Sequence, residues 1–134
     1  VHQALAASRP PLASWDMSLP PPYLPSDIWA QAATQPPVGS MQITHPLLPW
    51  RITIQPSIPG TYVTVGDVFN YLYMNLSTAV KTMEFDLLPS RQRKNAVNDA
   101  SLYRWKQQSS YSSEQYRGVT RVDFLEGKSE FGGL

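Results

Sequence analysis

The chain has no cysteine among its 134 residues. Disulfide staples are therefore excluded, and the expected setting is reducing, intracellular and cytoplasmic. Histidine is scarce as well: His2 and His45 are the only two. Without thiolates, a zinc site would have to be completed by carboxylates. His45 has no histidine partner two to four residues away, so no metal and no cofactor is expected. No serine lies in Gly-x-Ser-x-Gly, and no Gly-x-Gly-x-x-Gly occurs. Gly127-Lys128-Ser129 matches the tail of a phosphate-binding loop, but the upstream glycine is missing and a strand is expected to follow. Charge is low and nearly balanced, with a net value of +1. That implies neither an acidic tail nor a strongly basic nucleic-acid surface. No apolar run approaches the roughly 20 residues that span a bilayer. The first residues lack the basic start and long apolar stretch of a signal peptide. No internal repeat is visible, which excludes a solenoid.

What is present is organised around one helix, predicted over 64–76. Thr64 is a good N-cap, because its hydroxyl can accept the amide of Asp67 three residues on. Asp67 in turn places a carboxylate at the positive end of the helix. Val65, Val68, Phe69, Leu72, Tyr73 and Leu76 then fall at a period of 3.6, forming one apolar stripe. Apolar periodicity signals packing, so this is a core helix without chemistry of its own.

The 13 prolines divide the chain, since most lie between Pro10 and Pro59. Residues 1–40 read as extended chain with short elements. Trp15, Met17 and Leu19 alternate with polar residues as in a short edge strand. Pro20-Pro21-Pro22 ends it in a polyproline stretch. Residues 26–33 make one or two helical turns, closed by Pro36-Pro37. The large apolar residues of this arm predict that it wraps a core. Met41 to Thr44 and Trp50 to Ile54 alternate and form an antiparallel pair across a proline-rich loop. Residues 84–88 are a helical turn or a strand. A second, more solvated helix is expected over about 90–108, with Ala96, Val97, Ala100 and Tyr103 as its narrow apolar stripe. A last helical turn is expected over 114–117, capped by Gly118. Val119 to Leu125 reads as a strand, and Glu130-Phe131 as another.

His2, Trp15-Asp16-Met17-Ser18, Met41 to Trp50 with its Pro49-Trp50, Val63-Thr64-Val65-Gly66-Asp67-Val68, Arg121-Val122-Asp123-Phe124-Leu125 and Phe131-Gly132-Gly133-Leu134 occur in this order. In that they resemble a family of small uncharacterised proteins of mushroom-forming fungi (basidiomycetes), known only as a domain of unknown function. The resemblance spans nearly the whole chain and implies a domain starting near residue 1. It also implies a fungal, intracellular protein. It brings no activity and no catalytic residue.

Three functional readings remain. Tyr23, Trp29, Tyr103, Trp105 and Tyr111 exceed what the apolar stripes need, and surplus aromatics mark contact surfaces. They favour a non-catalytic binding or assembly module for an unknown protein or small-molecule ligand, with self-association as a homodimer and sugar binding both within reach. Arg91, Arg93 and Lys94, interleaved further on with aromatics, form an RNA or single-strand alternative. Asp16, Asp123 and His45 form a small-hydrolase alternative. Asp16, Asp67 and Asp123 are each flanked by apolar residues, where a carboxylate must be paired or capped. Arg51 and Arg121 are the expected partners. The expected fold is a single α+β domain over 1–134. A small, mainly antiparallel sheet packs on the 64–76 helix, under the proline-rich arm.

Overall fold

The computed structural model describes residues 1–6, 15–108 and 118–134. The chain forms a small α+β fold in the order α1 (Ser26–Trp29), β1 (Met41–Ile43), β2 (Ile52–Ile54), α2 (Val65–Leu76), α3 (Thr82–Phe85) and α4 (Arg91–Gln108). A 3₁₀ helix over Arg121–Leu125 follows. The sheet is one antiparallel pair, with Met41 opposite Ile54 and Ile43 opposite Ile52. Ile52 and Ile54 are buried and Thr53 points to solvent, as two-residue alternation requires.

α2 begins where the cap predicts. The Thr64 hydroxyl accepts the Asp67 amide at 3.1 Å, and the Asp67 carboxylate accepts the Thr64 amide at 3.0 Å. The helix buries Val65, Val68, Phe69, Leu72 and Leu76, while Tyr73 is half-buried at the stripe's margin. Phe69 is the hub of the interior. Trp15 meets it edge-on at 5.3 Å, Trp29 stacks on it at 5.7 Å, and Phe131 packs at 5.5 Å. Two of these rings come from the N-terminal arm and one from the C-terminus. Each such pair adds about 0.5–1.5 kcal/mol beyond the apolar area it buries. A second knot forms where Trp50 packs on Phe124 at 5.0 Å. Arg121 lies over the Trp50 ring at 4.7 Å, and its guanidinium bonds Glu84 at 2.6 Å.

Several expected elements take other forms. The strand expected over 119–125 is a 3₁₀ helix, because Thr120-x-x-Asp123 repeats the Thr64-x-x-Asp67 signature. The Asp123 carboxylate accepts the Thr120 amide at 2.8 Å and its hydroxyl at 3.3 Å. Local capping outweighs the strand propensity of Val119 and Val122. Glu126 and Gly127, both at positive φ, end the turn. The expected strands around residue 16 and at 130–131 shrink to a single bridge between Asp16 and Glu130. Asp16 folds its carboxylate back onto Ser18, turning the chain just before the prolines. Residues 84–88 include the last half of α3, so the helical option holds there.

α4 keeps most of the expected stripe, with Val97 buried and Ala96 and Ala100 half-buried, but its inward face is wider than expected. Val97 and Ser101 are its buried residues, with Arg93 and Arg104 half-buried on the same side. These four lie at i, i+4, i+8 and i+11, one helical face. The long stems of the arginines cover apolar surface that an all-apolar stripe would otherwise fill. Tyr103 is turned outward instead. The turn expected at 114–117 lies outside the described residues.

Candidate functional site

A cleft of about 320 Å³ opens between α4, the 121–125 turn and the bridge that joins residue 16 to residue 130. Ala100, Tyr103, Arg104 and Gln107 line it from α4, and Val122, Asp123 and Gly127 from the turn. Asp16, Ser18, Ser129 and Glu130 line it from the bridged segments. Local capping places Asp123, and helix periodicity places Arg104 opposite it. The pairing of the chain ends brings Asp16 to the same space.

Asp123 is only 2% exposed, and its charge is balanced within the fold. Arg104 donates to it through Nε at 3.0 Å and Nη2 at 3.2 Å, and Nη2 also reaches the Gly118 carbonyl. Arg104 and Thr120 between them bond both carboxylate oxygens of Asp123. Asp16 is arranged differently. Its Oδ1 accepts the Ser18 amide at 3.0 Å, the Ser18 hydroxyl at 2.7 Å and the Ser129 hydroxyl at 2.8 Å. Burial pushes the Asp16 carboxyl up, but these three donors together hold it below its ordinary value. Among the described residues, the bonds to Asp16 all fall on Oδ1 and none on Oδ2. Tyr103 stands beside this space with 66% of its surface exposed. With Asp123 and Arg104 cancelling, Asp16 and Glu130 leave a negative balance among the described residues of the cleft.

The other expected site residues are dispersed. His45 is exposed, with its Nδ1 accepting the Leu47 amide at 3.1 Å, and is not among the described residues of the cleft. Asp16 and Asp123 therefore meet in one cleft without it. Arg121 pairs with Glu84 rather than with any of the three aspartates, and Asp67 serves as a helix cap. Arg51 is exposed and reaches Gln42 at 3.5 Å. The basic run does not form one face. Arg91 is solvent-facing, whereas Arg93 turns inward and donates to the carbonyls of Leu47 and Phe124. Arg93 Nε is buried without a hydrogen-bond partner, 3.5 Å from Glu126. Lys94 lies 3.9 Å from Asp86 and over the Phe85 ring.

The aromatics divide as well. Trp29 belongs to the interior through Phe69, Trp105 is half-buried on α4, and Tyr23 and Tyr103 are exposed. Tyr111 lies outside the described residues. Sequence reasoning missed Arg104, Ser129 and Glu130 as parts of the cleft. Arg104 carried a readable signal, being eleven residues, or three turns, beyond Arg93 on one face. Ser129 and Glu130 carried none, because only the pairing of the chain ends delivers them. Among the described residues, no group of three or more His, Asp or Glu side chains is placed to hold a metal ion. No helix among them is long and apolar enough to cross a membrane.

No curated protein and no solved structure gives a significant match to the chain. Residues 13–134 match the model of a family of unknown function, DUF6699, and the chain belongs to that family.

Proposed function

We propose that the chain is a non-catalytic binding module whose recognition site is the acidic cleft beside Tyr103. Its ligand is a small organic cation bearing an ammonium or guanidinium group. The observation that carries this reading is an Asp16 carboxylate lining the cleft, with no bond to its Oδ2 among the described residues, next to an exposed tyrosine ring. A carboxylate oxygen attracts the cation, and the ring face adds a cation–π contribution of about 0.5–1 kcal/mol at such an exposed site. A cleft of about 320 Å³ is at the lower end of ligand-pocket sizes, which suits a small ligand. Catalysis fits the same groups poorly. Asp16 is held below its ordinary value, away from the working range of a general acid or base. Asp123 is locked by Arg104. The cysteine-free sequence and the resemblance to a fungal family favour a cytoplasmic setting for the module.

Calorimetric titration with a diamine and with an arginine amide tests the assignment. Binding should weaken as salt rises and should fall severalfold in Tyr103→Ala. The reading fails if neither cation binds. It fails equally if a neutral hexose binds and the cations do not, because the exposed ring would then serve a sugar. Light scattering tests the separate expectation of self-association, for which the exposed Leu102 beside Tyr103 is the candidate surface.

A further inference from the structure

The arm carries Leu19-Pro20-Pro21-Pro22-Tyr23-Leu24-Pro25, a segment that the cleft does not use. Three successive prolines fix φ near −65° and remove three amide donors. Such a run adopts the polyproline II helix, which turns once in three residues. Pro25 at its end has φ −53° and ψ 142°, within that conformation. Exposure follows the same period for two of its three edges, the third being mixed, with Pro22 half-buried and Leu19 and Pro25 exposed. Pro20 and Tyr23 are exposed, whereas Pro21 and Leu24 are half-buried. Residues three apart share an edge, so Pro21 and Leu24 lean on the protein while Pro20 and Tyr23 face outward. Tyr23 is 97% exposed, the highest value among the exposed large hydrophobic side chains of the described residues.

Both ends of the segment are anchored. Upstream, the buried Trp15 donates its Nε1 to the Leu19 carbonyl at 3.0 Å. Downstream, the Trp29 amide donates to the Pro25 carbonyl at 3.0 Å while its ring stacks on Phe69. Between these anchors, no hydrogen bond reaches the carbonyls of Pro20 to Leu24 among the described residues. The segment is thus a stretched, prepaid conformation with free acceptors and an outward aromatic ring.

We propose that Pro20-Pro21-x-Tyr23 is a docking segment for a partner domain of the WW type. Such domains grip polyproline chains in aromatic-lined grooves. In this complex the partner's ring donors bond the free carbonyls, and a second apolar pocket takes the Tyr23 ring. Because the conformation is set before binding, little ordering cost opposes association. The partner's surface is distinct from the cleft, so the two sites fail or succeed separately.

The test uses the intact 134-residue chain titrated, with fluorescence anisotropy, into a labelled WW domain selective for Pro-Pro-x-Tyr. An SH3 domain, which would read Pro22-x-x-Pro25 instead, forms the second arm. The expected result is saturable WW binding that weakens by about tenfold or more in Tyr23→Ala. The melting temperature of that variant should match the parent, since Tyr23 is solvent-exposed. Three results overturn the proposal. The intact chain fails to bind while a free 18–26 peptide binds, showing that the fold hides the segment; or it binds neither domain; or Tyr23→Ala binds as the parent does. Preference for the SH3 arm, abolished by Pro25→Ala, also overturns it.

Discussion

Gly66→Ala should destabilise this protein, although glycine-to-alanine changes within helices usually do the opposite. Gly66 sits in the first turn of α2, and alanine there would gain about 0.5–1 kcal/mol from helix propensity alone. The neighbouring ring decides the sign. A Cβ on residue 66 would lie 2.2 Å from Trp29 Nε1 and 2.5 Å from Cδ1 and Cε2. Ordinary contact needs well over 3 Å, so the indole has to move by more than 1 Å. Trp29 is stacked on Phe69 at an interplanar angle of 11° and cannot shift without leaving that ring. Overpacking of this kind costs about 1–3 kcal/mol, and losing the stacked pair about 0.5–1.5 kcal/mol. Against the propensity gain, the net destabilisation should be about 1–3 kcal/mol. Urea unfolding followed by tryptophan fluorescence reads it as a lower midpoint at unchanged slope. The decisive comparison is a double-mutant cycle. In a Trp29→Ala background the clash is gone, and Gly66→Ala should become neutral or stabilising. If Gly66→Ala stabilises the protein with Trp29 in place, the packing argument is wrong.

Other outcomes follow from the same structure. Thr64→Ala should cost about 1 kcal/mol, seen in urea, because it leaves the Asp67 amide without its cap. Arg104→Ala should cost about 3 kcal/mol, since the carboxylate of Asp123 is left buried with its cation gone; a loss below about 1 kcal/mol, measured by chemical denaturation, would show that Thr120 alone suffices. Burial raises the Glu84 carboxyl, but the Lys81 amide and the Arg121 guanidinium outweigh it and hold the folded value below the ordinary one. The stability that Glu84 contributes is therefore complete above its ordinary pKa of 4.5 and is lost as pH falls through the lowered folded value. Asp16 behaves in the same sense. Glu84→Gln should flatten the stability–pH curve on the acid side of 4.5, and a parallel curve would refute the assignment. The Arg91/Arg93/Lys94→Ala triple variant should lower the melting temperature, because Arg93 holds two backbone carbonyls. Loss of RNA retention in that variant alone would therefore be uninformative, and Arg91→Ala is the cleaner probe.

Much of the fold was readable because its causes are local. The Thr64 cap and the stripe from Val65 to Leu76 each lie within a few residues of what they specify. The alternation in Met41 to Ile43 and Ile52 to Ile54 is equally local, and a short loop brings the two strands together. The 121–125 turn was readable in principle, since Thr120-x-x-Asp123 repeats the earlier cap, but β-branched residues nearby suggested a strand. The face of α4 was read only in part: Ala96, Val97 and Ala100 turn inward as expected, but Arg93 and Arg104 were counted as solvent residues, while their stems pack as apolar ones.

The sequence by itself determined where helices start, which strands alternate and which segment stays extended, because capping, period and proline stereochemistry act between near neighbours. Only the tertiary structure decided that Asp123 pairs with Arg104 rather than Arg51 or Arg121. It alone brought Asp16, Ser129 and Glu130 to one cleft and turned Trp29 inward while leaving Tyr23 outside. Those outcomes depend on which distant surfaces exclude water together, and burial of that kind is a property of the assembled interior.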